Sequence, residues 1–239
     1  MRVLLTAIAL AVAAISRAAA GDMAEIAILG FSADGSVFAF EEYGIQDGSG
    51  FPYANRYYID TATDRHVDGT PLRVRIDDES AGLDAARRQA REAGERIVSD
   101  AELAAHRGWT AGWNAITELS ADPHRMAVNP RPVMPPIDGA LEFRLREIAM
   151  PQPERCRDLG DVVGFGLTRI GLVQGETART IHEDGSVPTS RGCPLGYRIG
   201  GVQTFHPQAG PPVFAVLIAV RIFGFEGPDH RWMAVAGRW

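Results

Sequence analysis

Hydrophobic and polar positions across residues 24–76 alternate in short blocks bounded by turn residues, which is the pattern of β-strands. Ile26-Ala27-Ile28-Leu29 runs to Ser32-Ala33-Asp34-Gly35, and Val37-Phe38-Ala39-Phe40 returns. Asp-Gly between two apolar runs predicts a hairpin, because Gly accepts the positive φ that such a turn needs. A glycine-rich loop from Gly44 to Gly50 leads into the aromatic run Tyr53 to Tyr58. Thr61 to Asp64 reads as a further turn and Leu72 to Ile76 as an alternating strand. The period then changes. Ser80 to Val98 is rich in Ala, Arg and Glu, with Asp84/Arg87/Arg88 and Arg91/Glu95 at helical pairing distance. Asp77, Asp78 and Glu79 stand where a helix N-terminus favours negative charge, and Ser99-x-x-Glu102 forms a capping box. Residues 79–106 therefore predict one long helix, weakened at Gly94, and one short one. Trp109 and Trp113 are expected near a helix end or turn, as core or as a domain seam rather than as a ligand platform.

Five prolines between residues 121 and 138 mark a linker or an extended edge segment, since proline donates nothing to a sheet ladder. Beyond them Leu141 to Arg146 alternates cleanly, Val162 to Val173 and Tyr197 to Phe205 less so, and His230 to Val235 closes the chain. Val213 to Phe223 is apolar on both faces, as a central strand would be. The predicted fold class is mainly β (α+β), with antiparallel strands in a sandwich or meander and a helical insertion around residues 79–106. The expected organisation is a signal peptide over 1–20, blade-like strands plus the helical insertion over 21–120, and an antiparallel β domain over 121–239. A single large β domain is the alternative.

The first twenty residues predict export. Met1-Arg2 supplies a positive start, Val3 to Ile15 an apolar run too short to cross a bilayer, and Ala18-Ala19-Ala20 a small-residue cleavage site. With no cysteine after the cut, a lipid anchor is not expected, nor is a transmembrane anchor elsewhere. Composition agrees with a globular chain: 46% hydrophobic and 23% charged residues. The 24 basic residues, all Arg, face 30 acidic ones for a net charge of −6. Loss of Arg2 and Arg17 with the signal segment makes that more negative, which argues against nucleic acid or anionic lipid as a partner. Without lysine there is no Schiff-base chemistry and no phosphate-cradling lysine loop. In an oxidising compartment the two cysteines, Cys156 and Cys193, predict a disulfide.

Phe31-Ser32-Ala33-Asp34-Gly35 followed by Phe38-Ala39-Phe40 resembles one blade of periplasmic β-propeller repeats, and Tyr57 to Asp64 is similar to the strand and turn that complete it. A propeller needs at least four blades, and one convincing copy is present. A fuller resemblance rests on three stretches: Gly30 to Tyr53, Pro188 to Tyr197, and Gly224 to Arg231. Together they resemble a bacterial family of predicted secreted proteins of unknown function. That implies export and a shared fold, and it carries over no catalytic residues.

Motifs of chemistry are lacking. Ser49 has the wrong flanks for a nucleophile elbow, His182-Glu183 runs into Asp184-Gly185 instead of completing a zinc motif, and Asp77-Asp78-Glu79 lacks calcium-loop spacing. No catalytic residue, metal ligand or cofactor is predicted. Two places are candidate ligand sites. In the loop Gly44 to Tyr58, Asp47, Tyr53, Arg56 and Tyr57 combine polar groups with aromatic faces that suit sugars or peptides. Ser190-Arg191 beside Cys193 places an arginine where a bridge could hold it for a carboxylate; an internal salt bridge is the competing reading. The function this favours is an exported, non-catalytic binding or interaction protein of the periplasm, with an envelope protein or a small ligand as partner and strand edges available for β-augmentation. The alternatives are a hydrolase using paired carboxylates and a structural envelope component.

Overall fold

The computed structural model describes residues 21–172, 175–225 and 227–239. The predicted signal segment, 1–20, lies outside the described residues. Among the described residues, thirteen strands form three antiparallel sheets, and two helices lie on the outside of one of them.

The first sheet contains β1 (Glu25–Phe31), β2 (Val37–Ile45), β3 (Pro52–Asp60), β4 (Arg65–His66) and β5 (Leu72–Arg75), with β4 and β5 both pairing β3. The β1–β2 hairpin turns where the Asp-Gly pair predicts. Gly35 has φ 72°, and Asp34 Oδ1 accepts from the backbone N–H and hydroxyl of Ser36 and from the Ser32 hydroxyl. Those hydrogen bonds pull the Asp34 carboxyl down to about 2.

The helices α1 (Leu83–Gly94) and α2 (Asp100–Ala105) follow. Ser99 caps α2 by accepting the Glu102 N–H. Glu102 does not close the box; its carboxylate accepts the Ala33 N–H of the β1–β2 turn instead. Two local expectations give way to other contacts, one in a turn and one tertiary. Asp78 accepts from Ser80 in a turn ahead of the helix, and Arg87 reaches Glu41 of β2 at 2.6 Å. Gly94, expected as a weak point, is the last residue of α1 and sits against the Tyr58 hydroxyl with no room for a side chain.

The central sheet has the order β13 (Asp229–Arg238), β12 (Val213–Ile222), β11 (Pro194–Phe205), β6 (Trp109–Trp113). Trp109 and Trp113 thus lie in an edge strand rather than at a helix end. Trp113 stacks on Trp232 with ring centroids 5.6 Å apart. Gly200 and Gly201 make room for the pair, since a Cβ there would meet the Trp232 and Trp113 rings at 2.3 and 2.7 Å. The third sheet runs β10 (Arg179–Glu183), β9 (Val163–Ile170), β8 (Leu141–Ala149), β7 (Arg125–Val128), so the proline-flanked segment supplies an edge strand.

The three sheets stack, with β12 in the middle. Its residues Val213, Ala215 and Leu217 pack on Phe31, Phe38, Phe40 and Ile59 of the first sheet. The alternate residues Phe214, Val216 and Ile218 pack on Phe143, Leu145, Phe165 and Leu167 of the third. Burial on both faces is why this strand reads as a continuous apolar run. On its outer face the first sheet meets the helices through Ala54, Ala86 and Ala90, and through Tyr58 and Leu103. The disulfide Cys156–Cys193 forms, with Cα atoms 5.6 Å apart. His182 of β10 ties the outer sheets together, with Nδ1 3.5 Å from Asp64 and Nε2 3.0 Å from Asp184.

Candidate functional site

Strand β13 is the edge of the central sheet, and its outward N–H groups would be open to solvent or to another strand. Instead other parts of the chain take them up. His230 N–H donates to the Asp22 carbonyl at 2.9 Å, Trp232 N–H to Glu42 Oε2 at 2.8 Å, and Ala236 N–H to Asp64 Oδ1 at 2.8 Å. Alongside this edge, between the first sheet and the Pro188–Gly192 segment, lies a cleft of about 590 Å³. It shares Asn55, Arg73 and Arg231 with an adjoining hollow of about 420 Å³. Both volumes fall in the range of small-molecule sites.

Glu42 stands at the junction of the first and central sheets. Besides Trp232, it accepts from Asn55 Nδ2 at 3.0 Å and from the Tyr57 hydroxyl at 2.6 Å. The carboxylate is buried, and burial together with Glu42 pushes the Tyr57 phenol well above its ordinary value. Tyr57 in turn stacks on Phe40 at 4.6 Å. Arg231 is held by Asp22 at 2.7 Å and lies 5.3 Å over the Tyr53 ring. Arg191 forms the opposite wall. Its guanidinium grips Asp184 with two nitrogens at 2.5 and 3.2 Å and donates to the Tyr197 hydroxyl at 3.0 Å. Arg73, on β5, differs from these two arginines. It is exposed, and among the described residues no carboxylate lies within ion-pair distance of it.

The candidate residues named from sequence separate in space. Tyr53, Tyr57 and Arg191 reach the cleft or its neighbour. Arg56 does not: strand parity turns it to the opposite face, beneath the helices. There it is buried and bonds Glu41 at 2.7 Å and Asp100 at 2.6 and 3.1 Å. Asp47 lies in the turn between β2 and β3, half-buried, and lines neither hollow. Arg191 has the internal ion-pair partner that the competing reading expected. Glu42, Arg73 and Arg231 were not singled out. Arg231 does fall in the Gly224–Arg231 stretch that carries the family resemblance, and Arg73 is merely the second residue of an alternating strand.

Comparison with known families bears on the chain as a whole. The model of a family described as predicted secreted protein (DUF2259) matches residues 39–238, which takes in the cleft, all but the first strand and the disulfide. The chain belongs to this family. DUF2259 is the secreted family that the three sequence stretches resemble, and the match lends nothing to the propeller-blade likeness. Among the described residues of this DUF2259 chain, no helix is long and apolar enough to cross a membrane. No curated protein and no solved structure matches it.

Proposed function

We propose that this secreted protein is a non-catalytic binding protein of the periplasm, exported by a signal peptide cut after Ala20, and that its cleft takes a small polar ligand bearing a carboxylate. The observation that carries this reading is Arg73. It lines a cleft of about 590 Å³ without a carboxylate of its own, while Arg191 and Arg231 in the same walls are each paired. An arginine without an anionic partner beside Asn55 offers charge-assisted, bidentate recognition of an incoming carboxylate.

Glu42 supports a binding role over hydrolysis by paired carboxylates. Both of its oxygens are engaged by Trp232, Asn55 and Tyr57, so neither is presented to a substrate. Export is supported by the secreted family and by how soon contacts begin past the proposed cut. The Asp22 N–H donates to Asp229 at 2.7 Å, and Ala24 N–H to the His230 carbonyl at 3.1 Å.

The test is a thermal-shift panel of sugar acids, short peptides and dicarboxylates on the oxidised protein, repeated with Arg73→Gln. A ligand at a hundred times its Kd stabilises by about 2.7 kcal/mol. A shift lost in Arg73→Gln supports the reading. A panel with no shift, or a hit indifferent to Arg73, overturns it.

A further inference from the structure

On strands that also border the cleft, a second group of basic side chains gathers over the end of the central sheet and lines a pocket of its own. The register places Arg198 opposite Ala219, and Arg221 opposite both Gly196 and His230. Arg198, Arg221 and His230 thus stand on one face of three neighbouring strands, since partners across a ladder share a face. With His124 and Glu147 they enclose a pocket of about 300 Å³.

Its charge is unbalanced. Among the described residues neither Arg198 nor Arg221 has a carboxylate within ion-pair distance. Arg198 is anchored to the Ile116 and Glu118 carbonyls and to Asn114 Oδ1 through Nη1 and Nη2, while its Nε is buried with no hydrogen-bond partner among the described residues, so it contributes charge fixed in place. Arg221 bonds the Leu195 carbonyl through Nη2 at 2.7 Å, and among the described residues its Nε and Nη1 have no acceptor. The one acid of the pocket, Glu147, is committed to the Tyr197 N–H at 2.7 Å, with His124 Nε2 3.9 Å away.

The floor between these groups is open because residue 196 is glycine. A Cβ there would lie 3.3 Å from Glu147 Oε1 and 3.4 Å from Arg221 Nε. The backbone at Gly196 has no positive φ, so conformation does not require glycine here. Burial, Arg221 and Arg198 push the His230 pKa down against the opposing charge of Asp229, as expected of an imidazole facing mainly positive charge.

We infer that this pocket is a second binding site, for a phosphate-type oxyanion, with Arg221 as the donor, Arg198 as fixed charge and the missing side chain of Gly196 as the space. An anion would supply the counter-charge that the described residues place on neither arginine, and Arg is suited to oxyanions by its paired, planar donors.

Calorimetric titration of the oxidised protein with orthophosphate and with glycerol 3-phosphate, at constant ionic strength, tests this. Saturable binding of both would indicate that the oxyanion is the recognised part. Binding of the ester alone would place part of the recognition on an organophosphate. Either is expected to weaken at least tenfold in Arg221→Gln and in Gly196→Val, which fills the floor without removing a charge, and to be unchanged in Arg73→Gln. Arg221 is exposed, so its variant should keep the parental melting temperature and be read as a binding defect. No saturable heat with either anion would overturn the inference. So would binding that Arg73→Gln abolishes and Arg221→Gln leaves intact, since that would place the anion in the cleft.

Discussion

The carboxylate of Glu42, on β2, accepts the backbone N–H of Trp232, on β13, at 2.8 Å. A side chain of one sheet thereby fills a rung on the open edge of another, as Asp64 does for Ala236. Capping an edge with carboxylates both satisfies its N–H groups and discourages another strand from docking there, because an incoming carbonyl would meet negative charge. The strand edges that sequence patterning offers for β-augmentation are, along this part of β13, already occupied.

Replacement of Glu42 should therefore be costly. Glu42→Ala leaves three donors without their acceptor: Trp232 N–H, the Tyr57 hydroxyl and Asn55 Nδ2. At about 1–3 kcal/mol for each buried group left unsatisfied, the loss should be about 3 kcal/mol or more. Urea denaturation would show it as a lower midpoint with unchanged slope. A loss below about 1 kcal/mol would mean that water reaches the site and takes over the donors.

Arg56 and Arg73 are neighbours across β3 and β5, yet their replacement should act on different properties. Arg56→Met leaves the buried Glu41 with Arg87 alone and the half-buried Asp100 with only Arg91 at 3.5 Å, and breaking a buried pair costs about 3–5 kcal/mol. Arg73→Gln, on the exposed face, should alter stability by less than about 0.5 kcal/mol while abolishing ligand-induced stabilisation. Chemical denaturation of both variants, with and without a ligand that shifts the parent, separates the two roles.

His182 makes stability depend on alkaline pH. Burial disfavours its charged form, but hydrogen bonds and charge from Asp184 and Asp64 win and raise its pKa to about 9. A group whose pKa is higher folded than unfolded contributes fully below its unfolded value, about 6.5, and loses that contribution as pH rises through the folded value. Stability should fall between about pH 6.5 and 9, and His182→Gln should flatten that slope. Denaturation midpoints measured from pH 6 to 10 would show a parallel fall in both proteins if His182 were not the cause.

Asp184 carries the opposite sign. Burial raises its pKa, but hydrogen bonds from His182, Arg191 and the Phe165 N–H bring it down to about 2. Its contribution is present above about pH 4 and is lost as pH falls toward 2. Asp184→Asn should shift the acid unfolding midpoint upward in a circular-dichroism titration, and an unchanged midpoint would count against the ion pair as a stabilising element.

Reduction of Cys156–Cys193 should loosen the wall that carries Arg191. Closing a loop with a sequence separation of 37 residues is worth about 4 kcal/mol in the chain-entropy model. The Cys156→Ala/Cys193→Ala variant should therefore melt well below the oxidised protein, and reductant should lower only the parent. Equal melting temperatures for the oxidised and reduced parent would show that the bridge adds nothing to the fold.

The sequence alone determined the features that act over a few residues. The Asp34–Gly35 hairpin, the Ser99 cap, the helical stretch and the alternating strands all arise from turn geometry and side-chain period. Even the double-faced burial of β12 was legible over Val213 to Val220, because the part of a strand covered on both sides has no position that tolerates a polar residue. The disulfide followed from there being two cysteines to pair. Tertiary structure decided what depends on parity and on distant partners. Arg56 looks like a neighbour of Tyr53 and Tyr57 along the chain, but successive residues of a strand face opposite ways, so one went under the helices and the others to the cleft. Arg87 had Asp84 within helical reach and took Glu41, because the helix packs on the sheet that carries it. Trp109 and Trp113 became an edge strand only because β11 offered a free ladder, with Gly201 making room for the Trp113 ring. The cleft itself comes from where two sheets and a stapled segment meet, and sheet stacking joins residues up to about two hundred positions apart, which no local pattern can encode.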